Sequence, residues 1–153
     1  MTPAVIVDVD GTLCDVSGIR HLVMGENRKR KDSFHRFHTE SEHCPPHRMA
    51  LDYVTDHFDS GHTILVVSGR PERWRDLTER YLHRHMPRTW AGLWMRPDSD
   101  YRPDTEVKAD IYHRLRAHYD IRGAIDDRPV VVDLWRSLGL AVTVVPGWPD
   151  GEN

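Results

Sequence analysis

Apolar residues in this chain gather in short consecutive runs, separated by longer stretches with helical spacing. Ala4–Val9, Thr63–Val67, Gly123–Ile125 and Ala141–Val145 read as strands, with Leu93–Met95 a weaker fifth. Several are apolar at successive rather than alternate positions, which suits strands covered on both faces, as in a parallel sheet. "PHRMALDYVTDHFDSG" sets Met49, Leu51, Val54 and Phe58 at helical spacing and stops at Gly61. "PERWRDLTERYLHRHM" brings Trp74, Leu77, Tyr81 and Leu82 together, with Pro71 at a favoured first-turn position. "DTEVKADIYHRLRAHY" aligns Val107, Ile111, Leu115 and Tyr119, and "RPVVVDLWRSLGL" aligns Val131, Leu134, Trp135 and Leu138 before Gly139.

Strand and helix in alternation predict an α/β fold with a parallel sheet between helical layers. Residues 14–46 break the rhythm: they are polar, rich in His and Arg, and read as a loop or small cap with short helical pieces above the sheet. No repeat or low-complexity linker interrupts the chain, so residues 1–153 are expected to form one domain.

Composition adds limits. At 153 residues, 39% hydrophobic and 29% charged, the chain should fold around a substantial core. No apolar run is long enough to span a bilayer, and "MTPAVIVDVDG" lacks a secretory layout. Cys14 and Cys44 form no CxxC pair, so a reducing cytoplasm is the expected setting. A net charge of −3 does not advertise a nucleic-acid binder, and the basic run Arg28–Lys31 reads as a solvated loop. His35, His38, His43, Cys44 and His47 crowd together without zinc-ligand spacing, and Pro45–Pro46 breaks any helix between the later ones; a histidine-rich loop is expected there. Trp74 and Trp135 fall on helix stripes and read as core, whereas Trp90, Trp94 and Trp148 are unassigned.

The chemistry lies at the strand ends, where open parallel sheets bind ligands. The first strand delivers Asp8 and Asp10 in "VIVDVDGTLCD", the second Ser68, Gly69 and Arg70 in "VVSGR", and the next Asp126 and Asp127 in "AIDDR". Lys108 stands early in the helix before that last strand. Four converging carboxylates raise one another's pKa values and are a cost until a divalent cation joins them. An all-oxygen site with few protein ligands suits Mg²⁺. Lys108, Ser68 and the amides near Gly69 offer partners for phosphate oxygens. In an extended strand end Asp8 and Asp10 would point the same way, one as nucleophile and the other as proton carrier, with Gly11 allowing a tight turn. Arg20, Arg70, Arg96 and Arg102 are candidates to clamp further phosphates; Arg96 and Arg102 have Asp98, Asp100 and Asp104 as alternative partners.

"DVDGT", "VVSGR", Lys108 and the Asp126–Asp127 pair, in that order, resemble the motifs of the haloacid dehalogenase superfamily from about Val5 to about Pro146. "SGR", "DTEVK" and "AIDDRPVVVDLWRSLGL" further resemble the phosphatase domain of phage polynucleotide kinase. The resemblance implies a Rossmann-like three-layer fold with a small or minimal cap. It also implies Mg²⁺ held by Asp8, Asp10 (through its carbonyl) and Asp126 or Asp127. Its activity would be removal of 3′-phosphates from nucleic-acid ends or nucleotides through an aspartyl-phosphate at Asp8. It adds Arg70 and Asp104 as residues needed for activity, with Arg20 the nearest match to a further arginine. A 5′-nucleotide or small-molecule phosphatase, and a non-catalytic binding module, are the alternatives. No G-x-x-x-x-G-K-[ST] is present, so a kinase or ligase in the same pathway would be a separate partner.

Overall fold

β1 (Thr2–Val7) lies in the middle of a five-stranded sheet in this computed structural model, which describes residues 1–148. Ala4 and Ile6 enter one core with Leu65, Val67, Ile111 and Trp135. Val5 and Val7 enter the other with Val54, Ile64, Val66, Tyr81 and Leu82. Burial on both faces is why the run is apolar at consecutive positions. Ile6 is almost wholly enclosed, so Ile6→Ala would cost roughly 2–5 kcal/mol.

β2 (Thr63–Pro71) and β3 (Gly92–Arg96) lie to one side of β1, and β4 (Tyr119–Asp126) and β5 (Ala141–Val144) to the other, in the order β3-β2-β1-β4-β5. All neighbours run parallel. α1 (Ser33–Ser41), α2 (Arg48–Asp59) and α3 (Arg75–His85) contribute to one core, α4 (Asp104–Leu115) and α5 (Pro129–Ser137) to the other. Acidic Asp104 and Glu106 in the first turn of α4, and basic His113 and Arg114 in its last, complement the helix dipole. The chain winds outward from β1 to β3, then crosses back to β4. That reversal opens a crevice above the carboxyl ends of the central strands. Val7 pairs with Val66 on one side and Ile125 on the other, so Asp8 emerges beside Asp126.

Several boundaries differ from the sequence reading. β1 stops at Val7 because the Asp8 and Val9 carbonyls turn back to accept from the amides of Leu13, Thr12 and Cys14. β2 runs on to Pro71, which ends the strand rather than opening a helix; a 3₁₀ turn, Glu72–Trp74, precedes α3. Between β1 and α2 lie two 3₁₀ turns, Arg20–Val23 and Gly25–Lys29, and α1. This segment is anchored by Val16, Leu22 and Phe37 in the core. Among the described residues, no helix is long and apolar enough to cross a membrane.

Candidate active site

Lys108, 2% exposed, is the cation of a buried carboxylate cluster. Its Nζ donates to Asp8 Oδ1 at 2.8 Å and to Asp126 Oδ2 at 3.2 Å, and lies 3.6 Å from Asp104 Oδ2. Burial opposes its charge, but Asp126, Asp8 and Asp104 together hold its pKa well above the ordinary lysine value. Burial and the neighbouring Asp126 push Asp8 well up; Lys108 pulls the other way without prevailing. Asp127 is raised for the same first two reasons.

The two members of the acidic pair are placed differently. Asp126 is saturated: Oδ1 accepts from the amides of Asp127 and Arg128, and Oδ2 from Lys108 and Trp135 Nε1. Asp127 leans over Gly11, where a Cβ would fall 2.0 Å from its Oδ2. Gly11 also has φ +79°, so glycine is required there twice over. Thr12 Oγ1 lies between the two carboxylates, 2.9 Å from Asp8 Oδ2 and 3.2 Å from Asp127 Oδ1. Trp148 Nε1 donates to Asp127 Oδ2 at 2.7 Å, and Arg20 reaches the same oxygen at 3.5 Å. The Arg20 guanidinium also rests on the Trp148 ring, 4.7 Å from its centroid, and donates to the Gly147 carbonyl.

Asp10 belongs to a second unit. Because β1 has ended, the extended-strand geometry expected for the DxD pair does not apply, and the turn carries Asp10 to β2. There Arg70 grips it with two nitrogens, Nε to Oδ2 at 3.0 Å and Nη2 to Oδ1 at 2.5 Å. Arg70 is 1% exposed and spends its other donors on Thr78 Oγ1 and Ser41 Oγ, each at 3.0 Å. Burial alone would raise Asp10, but the Arg70 guanidinium holds it below the usual carboxylate range. The Asp10 side chain keeps 26% of its surface open.

The arginines expected to grip substrate are thus placed otherwise. Arg70 is committed to Asp10. Arg96 braces the loop beneath the site, bonding the carbonyls of Gly69, Asp100 and Arg102 and the Asp104 carboxylate. Arg102 pairs with Asp100 and Asp110 at the surface. Arg20 alone of the four stands at the acidic cluster with part of its side chain open. Ser68 is buried and accepts from the Arg70 amide, while a Cβ on Gly69 would meet Asp104 Oδ1 at 1.9 Å. Asp104 therefore packs against the second motif and pairs with Arg96 and Lys108.

The donor set fits a hard divalent cation. Asp8, Asp126 and Asp127 each offer an oxygen within 4.8 Å of the others, all three buried, with Lys108 bonded to Asp8 and Asp126 and the partly open Arg20 at Asp127. Asp127, with lone pairs to spare, is better suited than Asp126 to bind it directly.

Thr12, Trp148, Ser41 and Thr78 escaped the sequence reading. The threonine of "DVDGT" was the legible one, since it directly follows the aspartates. The others serve their groups across separations that no spacing rule exposes: Trp148 is 21 positions from Asp127, Ser41 is 29 from Arg70 and Thr78 is 8 from it.

A family model of the polynucleotide kinase PNKP phosphatase domain matches residues 2–147. A protein of Autographa californica nuclear polyhedrosis virus described as a bifunctional polynucleotide kinase/RNA ligase is 26% identical over 140 residues, covering 88% of this chain and 18% of that protein. The chain therefore spans less than a fifth of that relative's length. A chain from the structure of the Pnkp1/Rnl/Hen1 RNA repair complex superposes with a TM-score of 0.75 at 26% identity, over 95% of this chain and 43% of that one. The Class C acid phosphatase from Bacillus anthracis shares the fold, with a TM-score of 0.65 at 17% identity over 82% of this chain and 52% of its own. With DVDGT, SGR, Lys108 and the acidic pair set on this Rossmann-like sheet, the chain belongs to the polynucleotide kinase PNKP phosphatase domain family, an enzyme domain of the haloacid dehalogenase type.

Proposed function

We propose that this domain is a Mg²⁺-dependent phosphomonoesterase that removes 3′-phosphates from nucleic-acid ends or nucleotides, with Asp8 as nucleophile. The observation that carries the reading is the buried Asp8 carboxylate, salt-bridged to Lys108 inside a cluster of oxygens spaced for one cation. An oxygen of Asp8 attacks phosphorus and the bond from phosphorus to the 3′-oxygen breaks. Asp10 delivers a proton to the departing oxygen. Water then attacks the aspartyl-phosphate, gives its proton to Asp10, and releases phosphate with Asp8 restored. Lys108 offsets charge on the phosphoryl oxygens, assisted by the Ser68 hydroxyl. Asp8, the Asp10 carbonyl and Asp127 would hold Mg²⁺, which would supply further neutralisation of the phosphoryl charge.

The low proton affinity of Asp10 suits its second task better than its first. The approach of a doubly negative phosphate raises it, since a nearby like charge favours the protonated carboxyl. The kinase, ligase and RNA repair descriptions carried by the relatives support a role among enzymes acting on the same ends.

The test is a panel containing a 3′-phosphorylated oligonucleotide, 3′- and 5′-mononucleotides, a sugar phosphate and p-nitrophenyl phosphate, with Mg²⁺. Wild type should release phosphate preferentially from the 3′-phosphorylated substrates. Asp8→Asn should release none while its circular dichroism is unchanged. Full turnover by Asp8→Asn, its mass verified, would overturn the assignment.

A further inference from the structure

Arg70 draws one hydroxyl from each of two helices, Ser41 of α1 and Thr78 of α3. About one turn before each hydroxyl stands an aromatic ring, His38 and Trp74, and the two rings meet with centroids 5.2 Å apart. The paired rings form a small aromatic roof, about one helical turn from the hydroxyls that hold Arg70, which in turn grips Asp10. From that roof the stripe continues along α1 to His35, 5.1 Å from Trp74, and to Phe34, 6.5 Å from His38. It emerges from the interior as it goes: Ser41 is 0% exposed, His38 6% and Phe34 53%. Seven residues of helix cover about 10 Å.

Where the stripe reaches solvent, the basic run begins. Arg28, Lys29, Arg30 and Lys31 immediately precede α1, Arg36 lies on it, and all five are exposed. Among the described residues none of these cations has a carboxylate within 4.0 Å, although Glu26 and Asp32 flank them in sequence. Arg75, Arg88 and Arg102 elsewhere on the surface are each tied to an acidic partner, whereas Arg28–Lys31 set four unpaired cations side by side. Aromatic rings leading away from a reacting centre toward unpaired cations are the combination that holds single-stranded nucleic acid: rings take bases, cations take phosphates.

We propose that α1 and the basic segment before it form a track for the single strand leading to the 3′ end. Nearest the centre a base lies against Trp74, His35 and Phe34, and phosphates farther up the strand lie along Arg28–Lys31. The inference rests on the phosphatase reading and narrows it from phosphorylated nucleotides to polymers.

The test uses the full chain with two variants of exposed positions, Phe34→Ala/His35→Ala and Arg28→Ala/Lys29→Ala/Arg30→Ala/Lys31→Ala. Each is assayed on a 3′-phosphorylated single strand of roughly a dozen nucleotides and on p-nitrophenyl phosphate. KM for the strand should rise about tenfold in each variant with kcat held, while kcat/KM for p-nitrophenyl phosphate stays within about twofold. The log–log dependence of strand affinity on salt should become shallower by roughly 3 in the quadruple variant. Unchanged strand kinetics, parallel losses on both substrates, or equal wild-type kcat/KM for a 3′-mononucleotide and the strand would overturn the track. Anisotropy of a labelled strand separates the two readings. Tight binding weakened in both variants, without turnover in wild type, would keep the track and remove the phosphatase. Turnover of p-nitrophenyl phosphate with equal binding by all three proteins would do the reverse.

Discussion

Arg70 meets Asp10 with both nitrogens of one edge of its guanidinium, and the side chain is almost wholly enclosed. An arginine so enclosed acts through the carboxylate it orients. Arg70→Lys keeps the charge but loses the planar fork. Turnover of a 3′-phosphorylated nucleotide, whose alkoxide needs a proton on leaving, should fall about 100-fold. p-Nitrophenyl phosphate, whose leaving group needs none, should lose far less. Equal losses on the two substrates would show that Arg70 serves only the fold.

Asp127→Asn removes one of three clustered buried carboxylates, a charge opposed by burial and by Asp126, together with its 3.5 Å ion pair to Arg20. Without metal it should be more stable than wild type, by about 1 kcal/mol or 2–4 °C in midpoint. Adding Mg²⁺ should raise the wild-type midpoint and leave the variant nearly unmoved, because a ligand stabilises only the form that binds it. Scanning calorimetry with and without Mg²⁺ measures both. A variant that melts lower without metal would contradict the electrostatic account.

Trp148→Phe keeps a ring for Arg20 to rest on and deletes the indole donor to Asp127. Groups that orient a ligand carboxylate commonly contribute tenfold or more to metal affinity. Mn²⁺ binding, followed by calorimetric titration, should weaken about tenfold while the metal-free midpoint stays within about 2 °C of wild type. Unaltered Mn²⁺ affinity would remove Trp148 from the site's working parts.

His38 gives the fold an acid sensitivity. Burial lowers its pKa to about 4, against the opposing pull of Asp10 and with help from Arg70, Arg73 and His35. The folded chain holds it neutral, so below about 6.5 the unfolded chain binds the extra proton and stability falls toward pH 4. The loss attributable to this ring is at most about 3 kcal/mol. His38→Phe should flatten urea-midpoint curves between about pH 6.5 and 4.5, where wild type slopes. Identical slopes would mean that the ring is protonated in the folded protein.

Much of this architecture was legible in the amino-acid order because it rests on doubly buried strands. Val5, Val7, Ala4 and Ile6 had to be apolar whichever core they faced, and the polar residues directly after such runs could only lie at the crevice. Asp8 and the acidic pair could be placed together for that reason, and Lys108 by its place early in the helix that leads into β4. The order of residues says less about which charge faces which. "SGR" shows an arginine near the centre, but only the fold shows Asp10 across from it, so a group read as a substrate clamp is found gripping a carboxylate. Arg96 and Arg102 were ambiguous for a related reason: acidic residues lie on both sides of them, and backbone carbonyls, which any sequence supplies, took most of Arg96. The end of β1 was missed because Val9 is as apolar as Val7, and the signal for turning lay in the backbone of Asp10-Gly11.

The bond from Lys108 to Asp8 joins residues 100 positions apart, and that from Thr12 to Asp127 spans 115. During synthesis, Asp8 and Thr12 leave the ribosome long before Lys108 and Asp127 exist. Its half of the sheet must wait, with the DVDGT turn unsupported, until the crossover helix and the last strands dock. A chain interrupted before α4 is an incomplete fold that lacks both Lys108 and the acidic pair, so the buried cluster can close only once β4 has docked.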